Sequence, residues 1–183
     1  MKEKSVAIHR LVVISICVAF ITLCSWIAIP FPISFSLQIF AIFLTASVFP
    51  RSISVSAVLI YISLGLIGIP VFSGFSSGIP TILGPSGGYV LSFLPSVIII
   101  SFFSGNKHSS KAKKLIGMLL ALLVCYACGC IWYIYVFCYP AGCSLLAALS
   151  VCVFPFIIFD IIKILLALIV SKKISQYVNR LSL

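Results

Sequence analysis

The feature that most constrains this chain is a series of apolar runs, each approaching the length of a membrane-crossing helix. Of its 183 residues, 63% are hydrophobic and only 8% are charged. A soluble domain needs more polar surface than this, whereas an α-helix needs about 20 apolar residues to cross the hydrocarbon of a bilayer. The sequence therefore predicts an all-α integral membrane protein that forms a single membrane domain over residues 1–183.

Six of these runs are expected to be transmembrane helices that pack as a bundle. After an N-terminal tail over 1–10, the predicted helices cover residues 11–29, 35–49, 52–69, 87–103, 115–138 and 144–171. The first run is long enough to span. Trp26 and Pro30 mark an interfacial end of that helix better than a signal-peptide cleavage site. Pro95 is expected to kink the fourth helix.

The positions of the cations predict the topology of the bundle. Twelve Lys and Arg against two acidic residues give a net charge of +10. All but one of the cations lie in the tail or after the second, fourth and sixth helices, whereas the connections 30–34, 70–86 and 139–143 carry none. Because Lys and Arg collect on the cytoplasmic side of a membrane, both termini are predicted to be cytoplasmic. The basic charge thus has a topological cause, and no nucleic-acid partner is predicted.

Asp160 and Lys163 are the charged residues that this pattern does not explain. They lie inside the sixth predicted helix, between residues 157–159 and 164–167, which are all Ile, Leu, Phe or Ala. A charge at membrane depth costs about 3 kcal/mol on insertion scales, and such residues usually face a bundle interior or a cavity. At positions i and i+3 the two side chains share one face of a helix. They either neutralise each other as a structural pair or together bind a polar solute.

The loop between the third and fourth helices, residues 70–88, has an unusual composition. It is rich in Gly, Pro and Ser, yet it carries six large apolar side chains, which are Val71, Phe72, Phe75, Ile79, Ile82 and Leu83. Irregular backbone at membrane depth is tolerated only when it is buried in protein or lines a cavity. We therefore predict a re-entrant or lid-like outer loop that covers a bound solute. The simpler alternative is a glycine-rich turn that plugs the bundle.

The catalytic inventory is too small for an enzyme. The predicted helices contain one carboxylate and no histidine, which excludes aspartyl and serine–histidine catalysis within the membrane. The chain has no Gly-x-x-x-x-Gly-Lys-Ser/Thr loop for binding ATP. Cys125, Cys128 and Cys130 have a metal-like spacing but are expected to be small apolar fillers, so no metal and no cofactor are predicted. Cys138 and Cys143 flank a loop and could form a disulfide.

The polar groups that remain suit binding. An ionised Asp160 accepts hydrogen bonds and suits a ligand with two parallel N–H groups, whereas Lys163 suits a carbonyl or a carboxylate. Gln38 in the second helix either contacts a ligand or forms a helix–helix hydrogen bond. Tyr89 follows a pair of glycines and either packs against a ligand or anchors the chain at the membrane interface.

These segments resemble the BioY family, the biotin-binding S components of energy-coupling factor (ECF) transporters. The resemblance rests on Gly-Ile-Pro-Val-Phe-Ser-Gly-Phe at 68–75, Gly-Pro-Ser-Gly-Gly-Tyr at 84–89, the proline-rich 29–38, and Asp160 with Lys163 after Pro155. It extends over about residues 10–170. The glycine loop and the Asp-x-x-Lys pair are specific together, whereas either alone is a weak signal.

The resemblance implies a pocket near the outer face in which biotin is captured, in a multi-pass protein of the bacterial cytoplasmic (inner) membrane. It also implies two kinds of partner, an ECF transmembrane coupling subunit and ATPase subunits. Asp160 would accept from the ureido N–H groups, and Lys163 would meet the carbonyl or the carboxylate. The implied substrate-binding residues are Asp160, Lys163, Tyr89, Phe72, Gly74, Phe75, Ser86 and Gln38.

The chain departs from the family pattern at three places. Ser77-Gly78 stands where the family usually has two glycines, and Ser86 stands where it favours threonine. Ile158-Phe159 replaces the Pro-Gly that commonly precedes the aspartate. This last change is expected to straighten the sixth helix and to alter how Asp160 is presented.

Helix one carries a second feature of S components, the small-x-x-x-small spacing that they use against the coupling subunit. Ser15 with Ala19, and Cys24 with Ala28, match this spacing. Two alternatives to biotin uptake stay open. The chain is an S component for another small vitamin, or it is a structural membrane protein in which the Asp160–Lys163 pair only stabilises the bundle.

Overall fold

The apolar runs form α-helices in the computed structural model, which describes residues 2–29, 33–104, 110–138, 142 and 144–178. Within these residues there are eight α-helices, which are α1 Lys2–Trp26, α2 Gln38–Val48, α3 Arg51–Leu66, α4 Gly78–Leu83, α5 Gly87–Ser104, α6 Lys111–Trp132, α7 Leu145–Cys152 and α8 Ile157–Val178. A 3-10 turn, Ser73–Phe75, lies between α3 and α4, and a π-helical segment, Tyr133–Phe137, continues α6.

A pair of short strands separates α1 from α2. Strand β1, Ala28–Ile29, pairs with β2, Phe35–Ser36, in antiparallel register. The predicted helices 11–29 and 35–49 are therefore too long at the ends that face each other, because these residues hydrogen-bond as strands instead. The proline-rich stretch between the strands favours extended backbone before each proline, which also ends α1 early.

Two other predicted boundaries are wrong. The tail over 1–10 is not separate from the first helix, because α1 already begins at Lys2. The sequence of this tail contains no Gly or Pro, so nothing stops a helix from extending through it. The third helix ends at Leu66 rather than at 69. Gly68 follows with a φ of +104°, the left-handed backbone that commonly terminates a helix.

The predicted straight sixth helix is broken into α7 and α8. The two helices are bent by 47° relative to each other, and a turn over 153–156 joins them. Pro155 lies in this turn; it has no N–H to donate and its ring clashes with a preceding carbonyl in a continuous helix. The bend therefore comes from Pro155, and the Ile158-Phe159 replacement does not straighten the segment. As a result Asp160 lies in the first turn of α8.

Length and composition identify the membrane-spanning helices only in part. Val6–Trp26, Gly87–Ser104 and Lys111–Phe137 are long and apolar enough to cross a membrane, and α7 with α8 is a fourth span if the bent pair counts as one. Helices α2 and α3 are apolar but have only 11 and 16 residues. The described part of the chain is thus a multi-pass helical membrane protein. Helix α5 continues through Pro95 without interruption.

Apolar side chains fill the interior and also cover much of the exterior. Phe43 and Val97 are fully buried, whereas Ile16, Phe102 and Ile158 are among many large apolar side chains that are mostly exposed. A soluble protein does not expose so much apolar surface without a partner to cover it. The exterior is therefore suited to contact with lipid.

Helices α5 and α6 pack closely because glycines face the opposite helix. A Cβ atom at Gly88 would lie 2.5 Å from the carbonyl oxygen of Cys128, and one at Gly117 would lie 2.8 Å from Cβ of Phe103. The two backbones can approach this closely only without side chains at these positions. This contact fixes the wall of the bundle on which Tyr89 and Tyr126 are placed.

Candidate ligand-binding site

A cavity lies among α2, α5 and α8, and residues of 33–36 and 72–86 line its remaining sides. It holds about 550 Å³ of empty space, including its open mouth. Six of the eight predicted site residues line the cavity, which are Gln38, Phe72, Ser86, Tyr89, Asp160 and Lys163.

Asp160 and Lys163 form a buried ion pair in the cavity wall. Nζ of Lys163 donates to Oδ1 of Asp160 at 2.8 Å, and the hydroxyl of Tyr126 donates to Oδ2 at 2.8 Å. Asp160 is 1% exposed and Lys163 is 4% exposed. Each carboxylate oxygen therefore has a donor, and an ionised carboxylate offers about four lone-pair positions in total. Acceptor capacity is left for a ligand.

Phe35 contacts the ammonium group of Lys163 from the segment between α1 and α2. Nζ lies 3.9 Å from the centroid of the Phe35 ring, which is within cation–π range. The same ring is nearly parallel to Phe156 at 6.0 Å and meets Phe159 edge to face at 4.9 Å. The basic group thus has an anionic partner and an aromatic face as neighbours.

Gln38 is the first residue of α2 and is only 5% exposed. Its Nε2 donates to the hydroxyl of Tyr61 on α3 at 2.6 Å. The helix–helix hydrogen bond considered as an alternative is therefore present, and Gln38 lines the cavity as well. The two roles are compatible because Nε2 alone of the amide group makes the contact with Tyr61.

Tyr89 is buried between helices rather than exposed at a membrane interface. It is 8% exposed, and its hydroxyl donates to the carbonyl oxygen of Cys152 at the end of α7. Gly129 of α6 makes room for the ring, since a Cβ there would lie 2.5 Å from it. One side of Tyr89 remains part of the cavity lining. Its buried position in the cavity wall is not that of an interfacial anchor.

The loop after α3 is held in the protein at Pro70, Val71 and Phe72. Val71 contributes a carbonyl oxygen that accepts from the hydroxyls of Ser25 and Tyr61, and that of Pro70 accepts from the indole of Trp26 at 2.8 Å. Phe72 is 1% exposed.

The ring of Phe72 fills the space beside Gly65. A Cβ atom at Gly65 would lie 2.0 Å from Cζ of this ring. Glycine is therefore required at this position of α3 for the ring to pack as it does. The loop is a packed segment of the cavity wall and not a solvated linker.

Gly74 and Phe75 do not line the cavity that contains the ion pair. They border a second and wider space of about 1,070 Å³, open solvent included, which shares five hydroxyl-bearing residues with the first, namely Ser34, Ser73, Ser76, Thr81 and Ser86. Phe75 is 61% exposed and stacks on Trp26 with ring centroids 4.8 Å apart. In this structure the ring packs on Trp26 rather than in the inner cavity.

Sequence reasoning did not find Tyr126 or Phe35. Tyr126 lies in the middle of an apolar helix, where a tyrosine is ordinarily a core residue, and it is brought to Asp160 only by the packing of α6 on α8. Phe35 belongs to a short stretch that already contains Phe31. Only the proline-rich composition around it distinguished that stretch.

Within the described residues, no group of three or more His, Cys, Asp or Glu side chains could hold a metal ion. Cys125 and Cys130 are buried in α6, and Sγ of Cys125 lies 3.1 Å from Oγ of Ser96. Cys143, which could form a disulfide with Cys138, lies outside the described residues, so this possibility stays open.

These features define a class, that of helical membrane proteins with a cavity that has a buried ion pair in its wall. Comparison with known proteins identifies the family. The sequence profile of the BioY family matches residues 1–180, and the chain belongs to this family.

Relatives and one solved structure agree with this assignment. The chain is 31% identical over 172 residues to the biotin transporter BioY of Thermotoga maritima, covering 92% of this chain and 96% of that protein. It is 34% identical over 174 residues to the biotin transporter BioY2 of Lactococcus lactis, with coverage of 91% and 90%. It is also similar to the crystal structure of the S-component for biotin from an ECF-type ABC transporter, with a TM-score of 0.83, 25% identity, and 94% and 93% coverage.

Proposed function

We propose that this protein is the biotin-binding S component of an ECF transporter and that it functions in biotin uptake. The observation that carries the proposal is the cavity with Asp160 and Lys163 in its wall, within a fold that matches the S-component for biotin. The function is transport rather than catalysis, because the BioY relatives are transporters.

The groups of biotin correspond to the groups in the cavity. A ureido ring presents two N–H donors and a carbonyl, and Asp160 and Lys163 offer an acceptor and a donor side by side. The fused sulfur ring and the aliphatic chain are apolar, which suits Phe72, Tyr89 and Phe93. Ser86 and the other hydroxyl-bearing residues lie where the two cavities meet and suit a polar end of the ligand.

Gly74 and Phe75 belong to the proposed site as its outer part. They border the wider space that adjoins the inner cavity. Gly74 has a φ of +67°, which glycine adopts without strain. In the proposed site the predicted loop 70–88, up to the start of α5 at Gly87, is the lid-like outer loop. Phe75 contacts biotin only on its way to the inner cavity.

The proposed topology is six transmembrane helices in a single membrane domain over 1–183, with both termini in the cytoplasm. The six spans are α1, α2, α3, α5, α6 with its π-helical segment, and the bent pair α7–α8. Two cations support this topology through their contacts. Arg10 of α1 donates to Ser52 of α3 at 2.8 Å, and Lys114 of α6 donates to the carbonyl oxygen of Ser47 of α2 at 3.2 Å. Basic side chains at one end of the bundle fit a cytoplasmic face.

The proposed partners are an ECF transmembrane coupling subunit and ATPase subunits, in the cytoplasmic (inner) membrane of a bacterium. The chain has no phosphate-binding loop, so in ATP-driven uptake the ATP would be bound by another subunit. Ser15 and Ala19 lie on the exposed face of α1, and Leu11 and Ile16 are 62% and 61% exposed beside them. This face is available for a partner helix.

A competition assay separates this proposal from its closest alternative, an S component for another vitamin. Labelled biotin bound to the purified protein would be challenged with unlabelled biotin, riboflavin, thiamine, folate and pantothenate. Only biotin should displace the label. Displacement by another vitamin at lower concentration would reassign the ligand, and absence of any saturable biotin binding would overturn the proposal.

A further inference from the structure

Tyr61 connects the cavity wall to the loop that borders it. It lies on α3, is 0% exposed, and does not itself line the cavity. Its hydroxyl lies 2.6 Å from Nε2 of Gln38, which does line the cavity, and 3.0 Å from the carbonyl oxygen of Val71 in the loop. Its ring meets that of Phe72 edge to face, with centroids 5.6 Å apart. One buried hydroxyl therefore contacts both parts of the site.

The hydrogen bonds of Tyr61 determine which way the Gln38 amide faces. A phenol has one proton to donate, and a carbonyl oxygen can only accept. The proton of Tyr61 is therefore given to Val71, and the phenol oxygen accepts from Nε2 of Gln38. If the amide were reversed, Tyr61 would give its proton to Gln38. The oxygens of Tyr61 and Val71 would then face each other at 3.0 Å without a proton between them.

This orientation leaves Oε1 of Gln38 for the cavity. Within the described residues no hydrogen bond reaches this atom. It is also not among the buried side-chain polar atoms of those residues that lack a hydrogen-bond partner. We propose that Tyr61 is a positioning residue for ligand recognition, whose hydroxyl turns Oε1 of Gln38 into the cavity as a second acceptor for a ligand N–H. The inference rests on the proposed function, because the ligand donor it assigns is a ureido N–H of biotin.

A second acceptor has a chemical reason. Oδ1 and Oδ2 of Asp160 already accept from Lys163 and Tyr126, each at 2.8 Å. A cyclic urea has two N–H groups that point in diverging directions, so one acceptor on α8 and another on α2 can satisfy both. The site then selects ligands with two N–H donors, because a ligand that lacks one leaves a buried acceptor unpaired.

The first test is Tyr61→Phe, which removes the hydroxyl and keeps the buried ring. Equilibrium binding of labelled biotin to the purified protein should weaken about tenfold, the usual effect of losing one hydrogen bond of this kind. Tyr135→Phe is the matched control, because Tyr135 is 73% exposed in the segment after α6. Its biotin affinity should equal that of the wild type.

A double-mutant cycle distinguishes positioning from general destabilisation. Gln38→Leu should weaken biotin binding, and adding Tyr61→Phe should then change the affinity no further, because the hydroxyl acts through the amide. Two biotin analogues provide a second readout. Each analogue is a cyclic carbamate in which a ring oxygen replaces a different one of the two ureido N–H groups. The analogue without the N–H assigned to Gln38 should bind to the wild type and to Tyr61→Phe with equal affinity.

The outcomes separate this inference from the function on which it rests. If the wild type does not bind biotin, the proposed function is wrong. If the wild type binds biotin but Tyr61→Phe binds it equally well, or the cycle is additive, Tyr61 has no positioning role. Should Tyr61→Phe not purify as a folded protein, Gln38→Leu decides. The Gln38→Leu variant should lose the preference of the wild type for biotin over one of the two carbamate analogues. An unchanged preference would overturn the inference.

Discussion

At the scale of single residues, Asp160 shows how a carboxylate is tolerated in an apolar helix. Its two oxygens accept from Lys163 and Tyr126 at 2.8 Å each, and it lies in the first turn of α8. The positive end of the helix dipole favours an anion at that place. The pair is thus neutral as a unit and also faces a cavity. The structural and the ligand-binding interpretations of this pair are therefore not exclusive.

Lys163→Ala should weaken biotin binding at least tenfold, or about 1.4 kcal/mol. The substitution removes a donor from the cavity and leaves Asp160 without its ionic partner in a buried site, which is costly. Binding of labelled biotin to protein in detergent measures the effect. Lys172→Ala, at an exposed position of α8, is the control and should bind normally. Unchanged affinity in Lys163→Ala would remove this residue from the site.

Tyr126→Phe should weaken biotin binding about three- to tenfold, because the carboxylate loses one of the two donors that fix its orientation. The effect should disappear when Asp160→Asn is already present, since the hydroxyl acts on that side chain. A full additional loss in the double variant would mean that Tyr126 acts independently of Asp160. Both affinities come from the same equilibrium binding assay.

Six of the residues singled out from the sequence and the family resemblance line one cavity. Three of them had a local signal. Asp160 and Lys163 were charges in an apolar helix, and Tyr89 followed the glycine pair. Tyr126 and Phe35 had no such signal, since an isolated aromatic residue in an apolar segment is ordinarily core. Their roles depend on contacts between elements distant in sequence, which a local pattern does not contain.

At the scale of elements, the segment after α3 is bound to the bundle through Phe72 and Gly65. The loop composition predicted that this segment packs back into the protein, and the burial of Phe72 agrees with that prediction. Sequence alone did not predict where Phe75 would pack. Phe75 has a φ of +61°, an uncommon conformation for a non-glycine residue, and this backbone directs its ring to Trp26 rather than to the inner cavity.

Gly65→Ala should displace Phe72 and loosen this segment. The new Cβ would lie 2.0 Å from the ring, and overpacking of this kind typically costs about 1–3 kcal/mol of stability. We expect a lower melting temperature in detergent and weaker biotin binding. Ser63→Ala is the control on an exposed position of α3. Wild-type melting and affinity for Gly65→Ala would show that Phe72 is not held in this way.

The local sequence pattern also predicts some helix boundaries and not others. The apolar runs located the long helices, but α1 begins at Lys2 rather than at 11, and α8 ends at Val178 rather than at 171. The Ile158-Phe159 replacement predicts a straight helix, whereas Pro155 breaks it at 153–156. The β1–β2 pair was missed because two-residue strands have no periodicity from which they can be predicted.

At the scale of the whole molecule, the distribution of Lys and Arg predicts that both termini lie in the cytoplasm. A fluorescent protein that folds only in the cytoplasm, fused to the C-terminus, should be fluorescent. Alkaline phosphatase, which is active only outside, should be inactive at the same position and active when inserted in the connection 139–143. The reverse pattern at the C-terminus would contradict its cytoplasmic location.

Biotin binding in the inner cavity, as proposed, requires that Asp160 contributes to the affinity. The most direct test is equilibrium binding of labelled biotin to the purified wild type and to Asp160→Asn, with circular dichroism to confirm that both are folded. We predict saturable binding by the wild type and at least about tenfold weaker binding by the variant. Equal affinity in the two proteins would contradict the account, because the buried pair would then have a structural role only.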